Sequence, residues 1–267
     1  MSESLIQSSQ AGAVRTLTLA RSQALNSFTS GMLEELLGAL GRIAEDRGVR
    51  CVVLTGAGRA FCAGQDLADP LVAPDPAPGA PAKDLGVMIE RFYTPLVRRL
   101  RSMPIPVVAA VNGVAAGAGA NLALNCDFVV AARGASFIQA FAKIGLAPDT
   151  GGTWLLPRLV GRAQALGLAL LGDKLGAEQA ERIGLIWKCV DDAELQEQAL
   201  ALAQRLAAMP SKALAATRQA IDAAPAMTMD EALEREMALQ RELGYAHDYG
   251  EGVAAFAAKR APAFSDR

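Results

Sequence analysis

The run VRTLTL at 14–19 alternates apolar and polar positions as a half-buried strand does, and CVVLT at 51–55 is a short β-branched run closed by Gly56. Between them, residues 30–46 carry Leu36, Leu37, Leu40 and Ile43 at helical spacing, with Ser30 placed to cap the start. PVVAAVNG, entered through Pro104 and Pro106, and DFVVAA at 127–132 read as further strands, and a helix over 84–102 precedes them. Strand and helix in turn predict an α/β fold with parallel strands joined by helical crossovers and ligands near strand ends and helix starts. From about Asp192 the pattern becomes helical throughout: ELQEQALALAQRLAAM, SKALAATRQAIDAA and MDEALEREMALQREL place apolar residues three and four apart. The chain thus divides into a core at 1–191 and a helical region at 192–267 whose amphipathic faces suit self-association. The aperiodic, Pro- and Ala-rich segment 70–82 reads as a surface loop.

Composition narrows the function. A chain of 267 residues can bury a substantial core, and with 52% hydrophobic but 5% aromatic residues that core is built mainly of aliphatic side chains. Lys and Arg number 26 against 28 Asp and Glu, so no global field draws nucleic acid or an anionic membrane, and neither is expected as a partner. The longest apolar stretch, PVVAAVNGVAAGAGANLALN, is too interrupted for a membrane span, and MSESLIQSSQ lacks the pattern of a secretory signal, so a cytoplasmic location is expected. Cys51, Cys62, Cys126 and Cys189 form no C-x-x-C pair and read as buried free thiols; no metal site is expected. The single histidine, His247, lies in a polar helical stretch and reads as solvent-facing. Without a histidine elsewhere, acid and base chemistry falls to carboxylates, lysine, tyrosine or the substrate.

Three glycine-rich turns could carry that chemistry. GAGRAFCAGQDL at 56–67 and NGVAAGAGANLALNCD at 112–127 each follow a strand, and neither has the Lys-Ser/Thr of a phosphate loop. Both can bring unhindered backbone N–H groups to a ligand, and the second feeds a helix start that favours developing negative charge, the makings of an oxyanion hole. The third, GLAPDTGGTWLLPRLVG at 145–161, holds Asp149 among apolar residues. Asp149 reads either as the N-cap of the following helix or as a carboxylate whose pKa an apolar cleft raises into a useful range.

Together, FCAGQDL, PVVAAVNGVAAGAGANLALNCDFVVAA, FAKIGLAPDTGGTWLLPRLVGRAQALGLALLG and AFAAKRAPAF resemble the crotonase (enoyl-CoA hydratase/isomerase) superfamily over essentially the whole chain. The stretch from APDTGG to KCVDD is similar, within it, to the ring-1,2-epoxyphenylacetyl-CoA isomerases of phenylacetate degradation. The resemblance implies a crotonase-like spiral of ββα units with a C-terminal helical trimerisation region, assembled as a homotrimer or a dimer of trimers. It implies that the N–H groups of Gln65 and Ala118 hold the thioester oxygen. Ala24, Ala63 and Asp66, with Lys259, would hold the CoA. The two positions that carry glutamates in the hydratases are here Asn121 and Phe141, neither of which can serve as a carboxylate base. Asp149 stands where certain isomerases carry a catalytic aspartate. Phe141 and Trp154 would keep the substrate pocket dry. The implied activity is that of an intramolecular isomerase moving C=C bonds of an acyl-CoA thioester, with no cofactor beyond the substrate's own CoA. A Δ3,Δ2-enoyl-CoA isomerase acting on linear chains is the alternative, ahead of a hydratase. An RNA-binding relative fits poorly with the charge balance, although LVRRLRS is locally basic.

Overall fold

The computed structural model describes residues 4–77 and 79–266. Strand β1 (Ile6–Ala11) turns at Gly12 into β2 (Val14–Leu19), and the two pair antiparallel with Ile6 opposite Leu19. Helix α1 (Ser30–Glu45) leads to three strand pairs built alike: β3 (Cys51–Gly56) with β4 (Ala60–Cys62), β5 (Val107–Val111) with β6 (Val114–Ala116), and β7 (Phe128–Ala132) with β8 (Ser136–Ile138). Two short strands, β9 (Leu175–Gly176) and β10 (Lys188–Val190), complete the sheets. The first member of each pair joins a six-stranded sheet, β1-β2-β3-β5-β7-β10, and the second a four-stranded sheet, β4-β6-β8-β9. This is the repeated strand-strand-helix spiral that the resemblance implies.

The corner between paired strands is too tight for a side chain. A Cβ on Gly56 would lie 2.3 Å from the Ala60 carbonyl oxygen, and one on Gly113 would lie 2.1 Å from that of Arg59, so only glycine fits. Asn112 closes the corner, accepting from the Gly56 N–H and donating to the Gly58 carbonyl. Every position of β3 and β5 is buried, as expected for parallel strands covered on both faces. The covering comes from α1, which buries Met32, Leu33, Leu36, Leu40 and Ile43, and from α7 (Leu195–Ala207), which packs across β3, β5 and β7 with Leu195, Ala199, Ala203 and Leu206. Each such leucine contributes about 1.5–3 kcal/mol of burial.

Two local expectations change. Thr29, not Ser30, caps α1, its hydroxyl accepting from the Met32 N–H; the buried Asp69 carboxylate takes the Ser30 N–H and hydroxyl instead. The helix expected over 84–102 is α2 (Gly86–Met88) and α3 (Thr94–Arg101) joined by a π-helical turn at Ile89–Tyr93. The 70–82 loop, in its described part, carries no helix or strand. Cys51, Cys62 and Cys126 are buried free thiols and Cys189 is half-buried.

The remaining helices are α4 (Ala118–Leu124), α5 (Gly152–Leu171), α6 (Ala177–Arg182), α8 (Ser211–Ala223), α9 (Met229–Gly244) and α10 (His247–Ala257). Helix α8 is tied to the core by Arg218, which pairs with Asp127 at 3.0 Å and donates to the Met103 carbonyl. A Thr228/Glu231 capping box starts α9, yet no described residue of that helix is buried, and Met229, Leu233 and Met237 face outward. His247 is exposed, as expected, beside the buried Asp248, whose carboxylate receives the N–H groups of Ser265 and Asp266 and pins the tail. No helix among the described residues is long and apolar enough to cross a membrane.

Candidate active site

The site residues leave the carboxyl ends of three neighbouring strands of the smaller sheet, the place where ligands gather in α/β folds. Gly64 and Gln65 follow β4, Gly117 and Ala118 follow β6, and Phe141 follows β8. Parallel pairing of β4 with β6 and of β6 with β8 brings the three exits side by side. A Cβ on Gly64 would lie 3.7 Å from the Ala118 nitrogen, and the Phe141 ring packs within 3.7 Å of the same point on Gly117.

The direction of the Gln65 amide follows from the ladder. Phe28 donates to the Gly64 carbonyl at 2.7 Å and accepts from the Asp66 N–H at 2.8 Å, an isolated parallel bridge centred on Phe28. In that pattern the intervening Gln65 N–H points away from Phe28. Ala118 is the first residue of α4, behind Gly117 with φ of 51° and ψ of −124°, so its N–H is one of the helix's unpaired first-turn donors. Two neighbouring donors free of the ladder, one at a helix start, are the groups an oxyanion cradle would need. The Gln65 side chain is fixed as well: its Oε1 accepts from the Tyr93 hydroxyl at 2.7 Å and its Nε2 donates to the Asp66 carbonyl at 3.1 Å.

Asp149 stands on the turn before α5. The helix is capped by Gly151 without any side-chain hydrogen bond, so the capping reading of Asp149 does not hold. Its Oδ1 accepts from the Thr150 hydroxyl at 2.8 Å. Burial raises the Asp149 pKa above the usual carboxylate value, against the lowering effect of the Thr150 hydroxyl. A partly buried carboxylate held without a cationic partner among the described residues is suited to accept a proton and return it. The Tyr93 hydroxyl feels the Asp149 charge; burial first and that charge second push its pKa well up, so it stays a neutral donor.

The other expected residues divide. Ala24, Ala63 and Asp66 are laced together: Ala63 donates to the Leu25 carbonyl, and the Asp66 carboxylate meets Arg21 at 2.9 Å. Backbone and Arg21 hydrogen bonds hold the Asp66 pKa down. Their N–H groups are all engaged within the chain, the Ala24 carbonyl accepts from the Ser27 N–H and the Asp66 carbonyl from Asp69 and Gln65, which leaves the Ala63 carbonyl as the one of the three with no donor among the described residues. Asn121 is fully buried on α4, its amide engaged by Asp149 and Gln139 rather than open to a ligand. Trp154 is not brought to the site. Its ring lies between the guanidinium groups of Arg101 and Arg158, at 4.8 and 4.0 Å, which hold it by cation–π attraction. There it lines a cavity of about 520 Å³ whose walls include neither Asp149, Gln65 nor Ala118. Lys259 is exposed just after α10 with a left-handed φ of 51°, and no contact among the described residues joins it to the others.

Sequence reasoning missed Tyr93, Gln139 and Asn125. Tyr93 sits in an apolar helical pattern that looks like plain core, and only the π-helical turn, a feature frequent at functional sites, sets its hydroxyl on Gln65. Gln139 and Asn125 carry no local signal at all.

The enoyl-CoA hydratase/isomerase family model matches residues 9–267. The 1,2-epoxyphenylacetyl-CoA isomerase of Escherichia coli (strain K12) is 54% identical over 254 residues, 95% of each chain. A protein of Rhodobacter capsulatus named "Probable enoyl-CoA hydratase" is 47% identical across 94% of each. The crystal structure of an enoyl-CoA hydratase from Polaromonas sp. JS666 superposes with a TM-score of 0.87 at 34% identity, covering 97% of this chain and 99% of that one. The spiral of strand pairs and the near-complete match together establish that the chain belongs to the enoyl-CoA hydratase/isomerase family.

Proposed function

We propose that this enzyme is an acyl-CoA isomerase that converts 2-(1,2-epoxy-1,2-dihydrophenyl)acetyl-CoA into the ring-expanded oxepin thioester, 2-oxepin-2(3H)-ylideneacetyl-CoA. The observation that carries the reading is Asp149, a carboxylate raised in pKa by burial and tied through its backbone carbonyl to Asn121 on the helix that Ala118 begins. The 54% identity to an isomerase of that substrate supports the choice of acyl group.

The thioester oxygen sits between the Gln65 and Ala118 N–H groups, which stabilise the enolate as it forms; a donor of this kind is worth about 2.7–4 kcal/mol. Opening of the epoxide carbon–carbon bond gives the seven-membered ring. Asp149 takes the α-proton, the electron pair forms the exocyclic double bond, and the acid returns the proton at the vinylogous ring carbon. The atoms of substrate and product are the same, so no oxidant, reductant or cofactor beyond the substrate's CoA enters. General acid–base catalysis of this kind contributes about 10²–10⁴-fold. Phe141, buried against Gly117, helps exclude water, and an amide at 121 with a phenyl at 141 gives poor purchase on a water for hydration.

Ala24, Ala63 and Asp66, with Lys259, belong to the CoA side in this reading, the Ala63 carbonyl being the oxygen of the three left open among the described residues, and a cytoplasmic location suits an acyl-CoA substrate. The outward apolar residues Met229, Leu233, Met237 and Phe256 support a region at 192–267 that joins protomers into a trimer or a dimer of trimers. Turnover of the epoxide thioester, a linear 3-enoyl-CoA and a linear 2-enoyl-CoA measured side by side tests the proposal. Preference for the epoxide is the expected result. Preference for the 3-enoyl substrate would assign the linear-chain isomerase instead, and hydration of the 2-enoyl substrate as the main activity would overturn both.

A further inference from the structure

The turn that presents Asp149 is strained. Thr150 has φ of 51° and Gly151 φ of 80°, and a β-branched residue in the left-handed region is an outlier that surrounding structure must enforce. The enforcement is visible. The Asp149 carbonyl accepts from the Asn121 Nδ2 at 2.8 Å and from the Gly152 N–H at 2.8 Å, while the Thr150 carbonyl accepts from the Asn125 Nδ2 at 2.9 Å. Behind them, Gln139 Nε2 donates to Asn121 Oδ1 at 2.8 Å, and Asn125 Nδ2 also reaches the Asn121 carbonyl at 2.8 Å. All three amides are buried. Their orientation is fixed chemically, because a carbonyl can only accept: Asn121 must turn its nitrogen to Asp149, which leaves its oxygen for Gln139. The packing is equally specific. A Cβ on Gly152 would lie 2.3 Å from the Asn121 Nδ2, so the glycine is what admits the amide.

We propose that Asn121, Asn125 and Gln139 form a buried amide brace that holds the Asp149–Gly151 turn in its strained form and so sets the place of the carboxylate. They are positioning residues, with Gln139 acting through Asn121. The proposal rests on the reading of Asp149 as the base. The position at 121, where the resemblance places a hydratase glutamate, is thereby turned from water chemistry to support of the neighbouring acid.

The test uses the full-length enzyme, with Gln139→Met, Asn121→Ala and their double variant assayed for α-proton exchange. Misplacing a reacting group by about 1 Å can cost on the order of 10²-fold. The brace predicts that kcat falls about 100-fold in Asn121→Ala and about 10-fold in Gln139→Met, with KM within about twofold. The double variant should be no worse than Asn121→Ala alone. The acid limb of the kcat/KM profile should also move to lower pH, because a relaxed turn lets water reach Asp149. Tyr93, the ionisable group coupled to Asp149 from another element among the described residues, is kept neutral there by its raised pKa. An unchanged kcat, additive losses, or a loss with the acid limb unmoved would overturn the brace. Should Gln139→Met fail to fold, Asn125→Ser frees the Thr150 carbonyl and carries the same expectations. Asp149→Asn separates the two levels: retained exchange there overturns the base itself, whereas a dead Asp149→Asn beside normal brace variants overturns only the brace.

Discussion

Gly64→Ala bears directly on the cradle. Gly64 has φ of 95°, outside the region an L side chain adopts readily, and its added Cβ would lie 2.8 Å from the Ala116 carbonyl oxygen, where ordinary contact begins at 3.4 Å. Backbone strain of this kind costs about 1–3 kcal/mol. The clash adds a directional effect, because Ala116 lies two residues before Ala118 and Gly64 one before Gln65. Relief moves one turn from the other by about 0.5 Å, the tolerance within which a catalytic constellation must be held. Loss of one oxyanion donor costs about 10²–10³-fold in kcat. The expected outcome is a folded enzyme with a lowered melting temperature and kcat for α-proton exchange down about 100-fold, read by NMR in deuterated buffer. Gly12→Ala is the control: its φ of 59° brings similar strain, but nothing lies within 4 Å of the new Cβ, so stability should fall without loss of rate. A folded Gly64→Ala enzyme with the parent rate would refute the assignment of the two amides.

Two further outcomes follow from buried charge. Burial raises the Asp149 pKa above its unfolded value, so ionised Asp149 opposes folding at neutral pH; Asp149→Asn should therefore melt higher than the parent at pH 7, with the difference closing as pH falls toward the ordinary carboxylate range. A parent that melts no lower than Asp149→Asn at pH 7 would contradict the burial argument. Arg218→Ala leaves Asp127 buried without its partner and should cost about 3–5 kcal/mol in urea unfolding, whereas a change below about 1 kcal/mol would show that water reaches the carboxylate.

Much of the fold was legible because its long elements carry strong periodicity. The helix over 30–46 and the runs at 51–55 and 127–132 fall on α1, β3 and β7, and the helical tail falls on α7 to α10. The strands of the smaller sheet were not legible. β4, β6 and β8 have three residues each, too few for any period, and they exist because the glycine corners fold them back onto a second layer. β1, IQSSQA, hides as a mostly exposed polar edge strand. At the site, the glycine turns drew attention because flexible backbone after a strand has a physical use, and the family resemblance singled out Gln65 and Ala118 within them. Asp149 was ambiguous from the sequence, since a cap and a base look alike before the helix start is seen. Trp154 drew notice as an aromatic near Asp149, but helix geometry and two arginines carry it to another cavity. Gln139 reaches Asn121, and Asn125 reaches the Thr150 carbonyl, only through the fold, 18 and 25 residues away in sequence.

The claim on which the account depends is that one carboxylate moves the proton. Incorporation of deuterium at the α-carbon of a bound acyl-CoA, followed for the parent and for Asp149→Asn at equal CoA affinity, tests it most directly. Exchange is expected in the parent, with a rate roughly a hundredth of it or less in Asp149→Asn; exchange in the variant close to the parent's would remove Asp149 as the base.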